Sequence, residues 1–95
     1  MKKVYLSGPM RGFPDENKPL FQKYANQLRA QGYQVYNPGE EEVGHTRREY
    51  FLGDTQWICK EADAIALMPG WRKSTGAFAE WALARALDLE VIKLK

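Results

Sequence analysis

The sequence predicts an α/β domain: a four-stranded parallel sheet in the flavodoxin-like, Rossmann-like arrangement, sandwiched between helices as three layers. Three observations point there. Short apolar runs alternate with amphipathic stretches of helical length along the whole chain. One of those runs, Ala64-Ile65-Ala66-Leu67, is continuously apolar, as a strand covered on both faces must be. Each run is separated from the next by enough chain for the right-handed helical crossover that parallel pairing requires. With 95 residues, a single domain spanning 1–95 is expected.

The elements follow in order. Val4, Tyr5 and Leu6 form a short buried strand that stops at Ser7-Gly8-Pro9. From Pro19 to Gln31, Leu20, Phe21, Tyr24, Ala25 and Leu28 recur at helical spacing, and Gly32 supplies a stop. Residues 33 to 36 give a second strand, closed by the turn sequence Asn37-Pro38-Gly39 and an acidic loop, Glu40 to Glu42. A second helix runs from Thr46 to about Lys60, with Tyr50, Phe51, Trp57 and Ile58 on one stripe. Asp63 to Met68 is the central third strand. A loop from Pro69 leads to Ser74 or Thr75, either of which can cap a helix reaching about Asp88. Val91, Ile92 and Leu94 complete the sheet. Ligands of open α/β sheets sit beyond the C-terminal strand ends, so the loops at residues 7–13 and 69–74 should line the functional site.

Composition narrows the function classes. The chain is 44% hydrophobic and 13% aromatic, as befits a globular domain. Its net charge of +2, with basic and acidic residues interspersed, argues against a polymeric nucleic-acid partner. No signal-like or 18-residue apolar run occurs, so no membrane partner and a cytoplasmic location are expected. Cys59, the sole cysteine, sits in an apolar stretch and reads as a small structural hydrophobe without an adjacent His to activate it. His45 has no second ligand at metal spacing, so no metal site is expected.

Two carboxylates interrupt apolar patterns. Asp54 falls in the middle of the stripe made by Tyr50, Phe51, Trp57 and Ile58 and must face inward. An inward carboxylate needs either a structural partner or a functional pocket, and the pattern leaves both open. Glu80 is the only polar residue between Gly76 and Ala84, in a segment apolar all round and so expected to be buried on more than one side. Gly76 and Ala77 lie one turn earlier and leave its loop side uncovered, which favours a pocket over an exposed helix edge. Ser7-Gly8-Pro9-Met10-Arg11-Gly12 is a glycine-bearing loop after a strand, with an Arg suited to phosphate, although it matches no standard phosphate motif. Ser74, beside the helix start at Gly76, can cap the helix and offer a hydroxyl to an anion. Among the aromatics, Trp57 and Trp81 read as core or interface, while Phe13 and Trp71 fall in the two site loops with either role open.

Taken together, the stretch from Tyr5 to Gly12, Asp54 ahead of Ala62-Asp63-Ala64-Ile65, and Ser74-Thr75-Gly76-Ala77-Phe78-Ala79-Glu80 resemble the nucleoside 2-deoxyribosyltransferase superfamily. The likeness is greatest to its small phage and bacterial members and to the deoxynucleoside 5′-monophosphate N-glycosidases, and it covers nearly the whole chain. The resemblance implies a retaining mechanism, needing no cofactor, in which Glu80 attacks C1′ of the sugar and releases the base. Asp54 would match the acidic residue that contacts the sugar or assists protonation of the base, and Tyr5 the tyrosine that orients the nucleophile. Ser7, Gly8, Arg11, Gly12, Ser74 and Gly76 would bind sugar and phosphate. At Pro9 the monophosphate-specific members carry a serine, so one phosphate contact is missing here. The expected partners are a small-molecule nucleoside or nucleotide and a second copy of the chain in a homodimer or higher homo-oligomer. Two rivals remain at the sequence level: a catalytically silent module that senses or sequesters nucleotides, and an interaction protein using the apolar residues Phe78, Trp81, Leu83 and Leu87 of the last helix.

Overall fold

In the computed structural model, which describes residues 1–95, four parallel strands form one sheet. They are β1 (Lys3–Ser7), β2 (Gln34–Tyr36), β3 (Ala64–Leu67) and β4 (Glu90–Lys93), in the spatial order β2-β1-β3-β4. Three helices connect them: α1 (Lys18–Ala30), α2 (Arg47–Lys60) and α3 (Thr75–Ala86). The order reverses between β1 and β3, so the two central strands splay their following loops apart and open a crevice at their C-terminal ends.

Alternation along the central strands divides the core into two layers. Val4, Leu6, Ala64, Ala66 and Met68 face α1 and pack on Phe21, Tyr24, Ala25 and Leu28. Tyr5, Ile65 and Leu67 face the opposite side, against Ile58 of α2 and Ala84 of α3. The small side chains at Ala64, Ala66, Ala77 and Ala84, all buried, bring the helices close to the sheet. This is the three-layer α/β fold that the sequence predicts, with ends shifted by one or two residues.

The helix ends are built as the sequence suggests. Thr46 and Glu49 form a reciprocal capping box at the start of α2. Ser74 caps α3 by accepting a hydrogen bond from the Ala77 N–H at 3.2 Å. After α1, Gly32 takes a positive φ of 96°, the left-handed conformation that ends a helix at little cost for glycine alone. No helix is long and apolar enough to cross a membrane.

Three expectations about packing are corrected. Cys59 is exposed, because it lies on the solvent side of α2 rather than in a buried run. Phe51, placed on the inner stripe by its spacing, is 38% exposed; the inner face of α2 consists of Asp54 and Ile58, one turn apart, flanked by half-buried Trp57. The last helix is buried on one side only, through Ala77, Glu80 and Ala84. Its apolar outer side, including Phe78, stays open because no further layer of this chain covers it.

Candidate functional site

Tyr5 and Ser7 are two residues apart on β1 and therefore project to the same face, toward α3. Glu80, in the second turn of α3, points back at them and is only 7% exposed. Ser7 donates its hydroxyl proton to Glu80 Oε1 at 2.7 Å, and Tyr5 donates to Oε2 at 2.9 Å. Each carboxylate oxygen thus receives one hydroxyl. No lysine, arginine or histidine pairs with Glu80; the five ion pairs of the molecule all lie elsewhere, on partly exposed side chains. Burial without a counter-ion pushes the Glu80 carboxyl up; the Ser7 and Tyr5 hydrogen bonds pull it back, and the charge of Asp54 pushes it up again, leaving it at about 7. The Tyr5 hydroxyl, fully buried and facing Glu80 and Asp54, is held well above the usual phenol range and stays a proton donor.

A second carboxyl group closes the other side. Asp54 on α2 is 7% exposed and sits within electrostatic reach of both Tyr5 and Glu80, so the two carboxylates singled out by pattern converge on one region. Between them runs an aromatic floor. Tyr5 and Tyr36 occupy paired positions on β1 and β2 and stack at 5.4 Å, with Trp57 of α2 at 6.3 and 5.0 Å from the two rings.

The Tyr36 hydroxyl contacts Asp54 Oδ1 at 3.2 Å and Glu41 Oε2 at 2.8 Å. Glu41 is half-buried, and burial together with Asp54 lifts its carboxyl to about 8. Tyr36 and Glu41 are candidate site residues that sequence reasoning missed. The sequence signal was partial: a turn directly after a strand neighbouring β1, Tyr36-Asn37-Pro38-Gly39, brings the acidic run Glu40 to Glu42 to the sheet end without saying which of the three turns inward. The Asn37 side chain fixes that turn by accepting from the Gly39 N–H at 2.8 Å, and Arg29 removes Glu40 to the surface with two contacts of 2.8 Å, so only Glu41 turns inward.

The remaining sequence-derived candidates divide by position. Gly8 follows β1 where Met68 passes: a Cβ there would meet Met68 Cβ at 2.7 Å and Sδ at 2.9 Å. A side chain at this position has nowhere to go, since the opposing atom is fixed to the backbone of the chain at the end of β3. Gly8→Ala is accordingly expected to destabilise the fold by about 1–3 kcal/mol, the overpacking range, read as a lowered urea midpoint. An unchanged midpoint would remove the packing role and leave only close approach of a ligand.

Arg11 and Gly12 are exposed on the loop after β1, and Gly12 has a positive φ of 87°. Farther along, Asp15, Glu16 and Asn17 also adopt left-handed conformations, with φ of 52°, 52° and 63°. Three such residues in succession are strained, at roughly 1–2 kcal/mol each. Asn17 Nδ2 donates to the Pro9 carbonyl at 2.9 Å and ties the loop across its base. Arg11 forms no ion pair and is free to meet an anion. Ser74 is occupied as a helix cap and half-buried, and a Cβ at Gly76, one turn before Glu80 on α3, would meet open space. Trp71 does not line the crevice alone: it stacks on Phe78 at 6.0 Å and packs on Trp81 at 5.2 Å, an aromatic cluster on the outer side of α3. Phe13 is 48% exposed. No group of three or more His, Cys, Asp or Glu side chains is arranged to hold a metal ion.

Comparison with known proteins agrees with this architecture. Residues 2–93 match the family model described as a domain of unknown function, DUF4406. No curated protein matches the chain in sequence. Among solved structures, a 2-desoxiribosyltransferase from Leishmania mexicana superposes with a TM-score of 0.78 over 99% of this chain, at 16% identity. The chain spans 64% of that protein's length. The chain belongs to the DUF4406 family, and it shares its fold with that 2-desoxiribosyltransferase.

Proposed function

We propose that the protein cleaves or transfers at the N-glycosidic bond of nucleosides or nucleoside 5′-monophosphates, with Glu80 as the nucleophile. One observation carries this reading: a nearly buried carboxylate that has two hydroxyl donors and no cation. A structural carboxylate in such a place is normally neutralised by a basic partner, because burying a bare charge is costly. Glu80 instead keeps a charge that is stabilised only partly and oriented by Tyr5 and Ser7, with glycine rather than a side chain one turn earlier at Gly76. That combination suits attack on an electron-poor sugar carbon.

In the first step a Glu80 oxygen bonds to C1′ and the C1′–N bond breaks, its electron pair leaving with the base. Asp54 contacts the sugar or assists protonation of the base. Water or a second base then displaces Glu80 from C1′, regenerating the carboxylate. Arg11, Ser74 and the loop bearing Gly8 and Gly12 would hold the sugar and any 5′-phosphate. The apolar outer side of α3 supports a homodimer, which light scattering would test.

The experiment is incubation with a panel of nucleosides and 5′-monophosphates, with chromatography for free base and mass spectrometry of the quenched protein. Base release is expected, together with a sugar adduct that maps to Glu80. Ligand binding without base release would instead establish a sensing or sequestering module and end the enzymatic reading.

A further inference from the structure

The Tyr36 hydroxyl has one hydrogen, yet it lies within hydrogen-bond distance of two carboxyl oxygens, from Glu41 and Asp54. A phenol can donate fully to one of them only. The other contact is a hydrogen bond if that carboxyl carries a proton of its own and donates to the phenol oxygen. The group of three is therefore satisfied with one carboxylate and one carboxylic acid. Its two acidic members differ in access. Asp54 is 7% exposed, whereas Glu41 is half-buried and lines a cavity of about 420 Å³ with Glu42, His45, Glu49 and Tyr50.

We propose that Glu41 is the acid that hands a proton to the departing base, with Tyr36 and Asp54 holding that proton in place and the cavity beside Glu41 receiving the base. This rests on the glycosidic reading of Glu80 and goes one step further, by assigning the second half of the chemistry. As Glu80 bonds to C1′ and the C1′–N electron pair moves onto the base, the Glu41 proton moves to a ring nitrogen. The products are a glycosyl ester on Glu80, a neutral base and a Glu41 carboxylate. In hydrolysis, water bonds to C1′ and gives its proton to Glu41, which restores both groups.

The surroundings favour a protonated Glu41. Tyr36 faces it from β2, Asp54 from α2 and Glu80 from α3; Glu42, His45, Glu49 and Tyr50 complete the cavity. No lysine or arginine lines it, and His45 is turned toward Glu49 at 3.9 Å. Burial and the neighbouring carboxylates accordingly hold the Glu41 proton up to about pH 8, above the value of about 7 at which Glu80 ionises. Between the two, nucleophile and acid carry the charges that the reaction needs, the pattern of paired carboxyl groups with opposed roles.

The test compares Glu41→Gln with the unaltered protein on two substrates: 2′-deoxyguanosine 5′-monophosphate, whose base needs a proton to leave, and its 7-methyl derivative, whose cationic base does not. Glu41→Gln is expected to lower the single-turnover rate of base release from the first by about 10²–10⁴-fold and to leave that from the second nearly unchanged, since only the first needs the Glu41 proton to release its base. It should also abolish the alkaline limb of the pH profile. Equal losses on both substrates, or none on the first, would overturn the assignment of Glu41 while leaving Glu80 as nucleophile intact. Failure of the unaltered protein to cleave either substrate, or any other nucleotide, would overturn the glycosidic reading as a whole. A second measurement needs no turnover. Carbon-13 NMR of labelled glutamate should show the Glu41 carboxyl titrating near 8 and moving down in Asp54→Asn; titration in the ordinary carboxylate range refutes the shared proton.

Discussion

Glu80→Gln is expected to stop base release while making the protein more stable at pH 8. The amide keeps the shape of the side chain and can still accept a hydroxyl from Ser7 or Tyr5, but it cannot attack a sugar carbon. Removal of a covalent nucleophile lowers kcat by on the order of 10⁴–10⁶-fold. The stability gain follows from linkage. The Glu80 carboxyl moves from its usual 4.5 to about 7 on folding, because burial disfavours its charged form. A raised folded-state pKa means that the protonated carboxyl favours folding. That contribution is full below 4.5 and is lost as the pH climbs to about 7. Above that, the folded protein holds an ionised group at a cost of roughly 3 kcal/mol, taking about 1.4 kcal/mol per pKa unit. Gln has no such penalty. Unfolding midpoints of the two proteins should therefore coincide near pH 4, separate between 4.5 and about 7, and stay apart at pH 8 with the variant higher. Because Glu41 is unchanged in both, its own titration largely cancels from the difference. A variant less stable than the parent at pH 8 would mean that the charge of Glu80 is well solvated or paired, and the strained-carboxylate account would fail.

Such a trade between stability and function shows why the site was half legible in the sequence. A carboxylate in an apolar helical stripe violates the local pattern, and both Asp54 and Glu80 stood out for that reason. The strand order and the two-sided core were legible because β1, β3 and the buried faces of α1 obey simple periodicities. What periodicity could not supply was the inward turn of Glu41. It lies in a loop where three successive glutamates look alike, and only tertiary partners, Arg29 for Glu40 and Tyr36 for Glu41, sort them. The errors have the same origin. Phe51 and the outer side of α3 are apolar residues on surfaces that this chain does not cover, and hydrophobicity reports that a residue prefers burial without saying what would bury it. Ser7, expected among the residues that bind the ligand, is the last residue of β1; it is 1% exposed and donates its hydroxyl to Glu80.

That engagement gives Ser7 a measurable consequence. Its hydrogen bond is the largest single influence holding the Glu80 carboxyl down against burial, followed by that of Tyr5. A hydrogen bond to a charged group contributes about 1.5–3 kcal/mol, so deleting one donor should raise the Glu80 pKa by roughly 1–2 units. In Ser7→Ala the acid limb of kcat/KM, expected near 7 in the parent, should move to about 8 or beyond, and activity at pH 7 should fall about 5- to 50-fold from protonation alone. Tyr5→Phe should act in the same direction by a smaller amount. The double variant is more telling. With both donors gone, Glu80 would ionise only at a pH where Glu41, at about 8, has already lost its proton. The two limbs then cross, only a small fraction of molecules at any pH carries a charged Glu80 beside a protonated Glu41, and the maximal rate itself should fall rather than shift. A pH-independent loss in Ser7→Ala, with the acid limb unmoved, would show that Ser7 serves the substrate directly. A limb that moves as the hydroxyls are removed, and a maximum that falls further when both are gone than when either is, would tie the ionisation of Glu80 to the two side chains that β1 presents to α3.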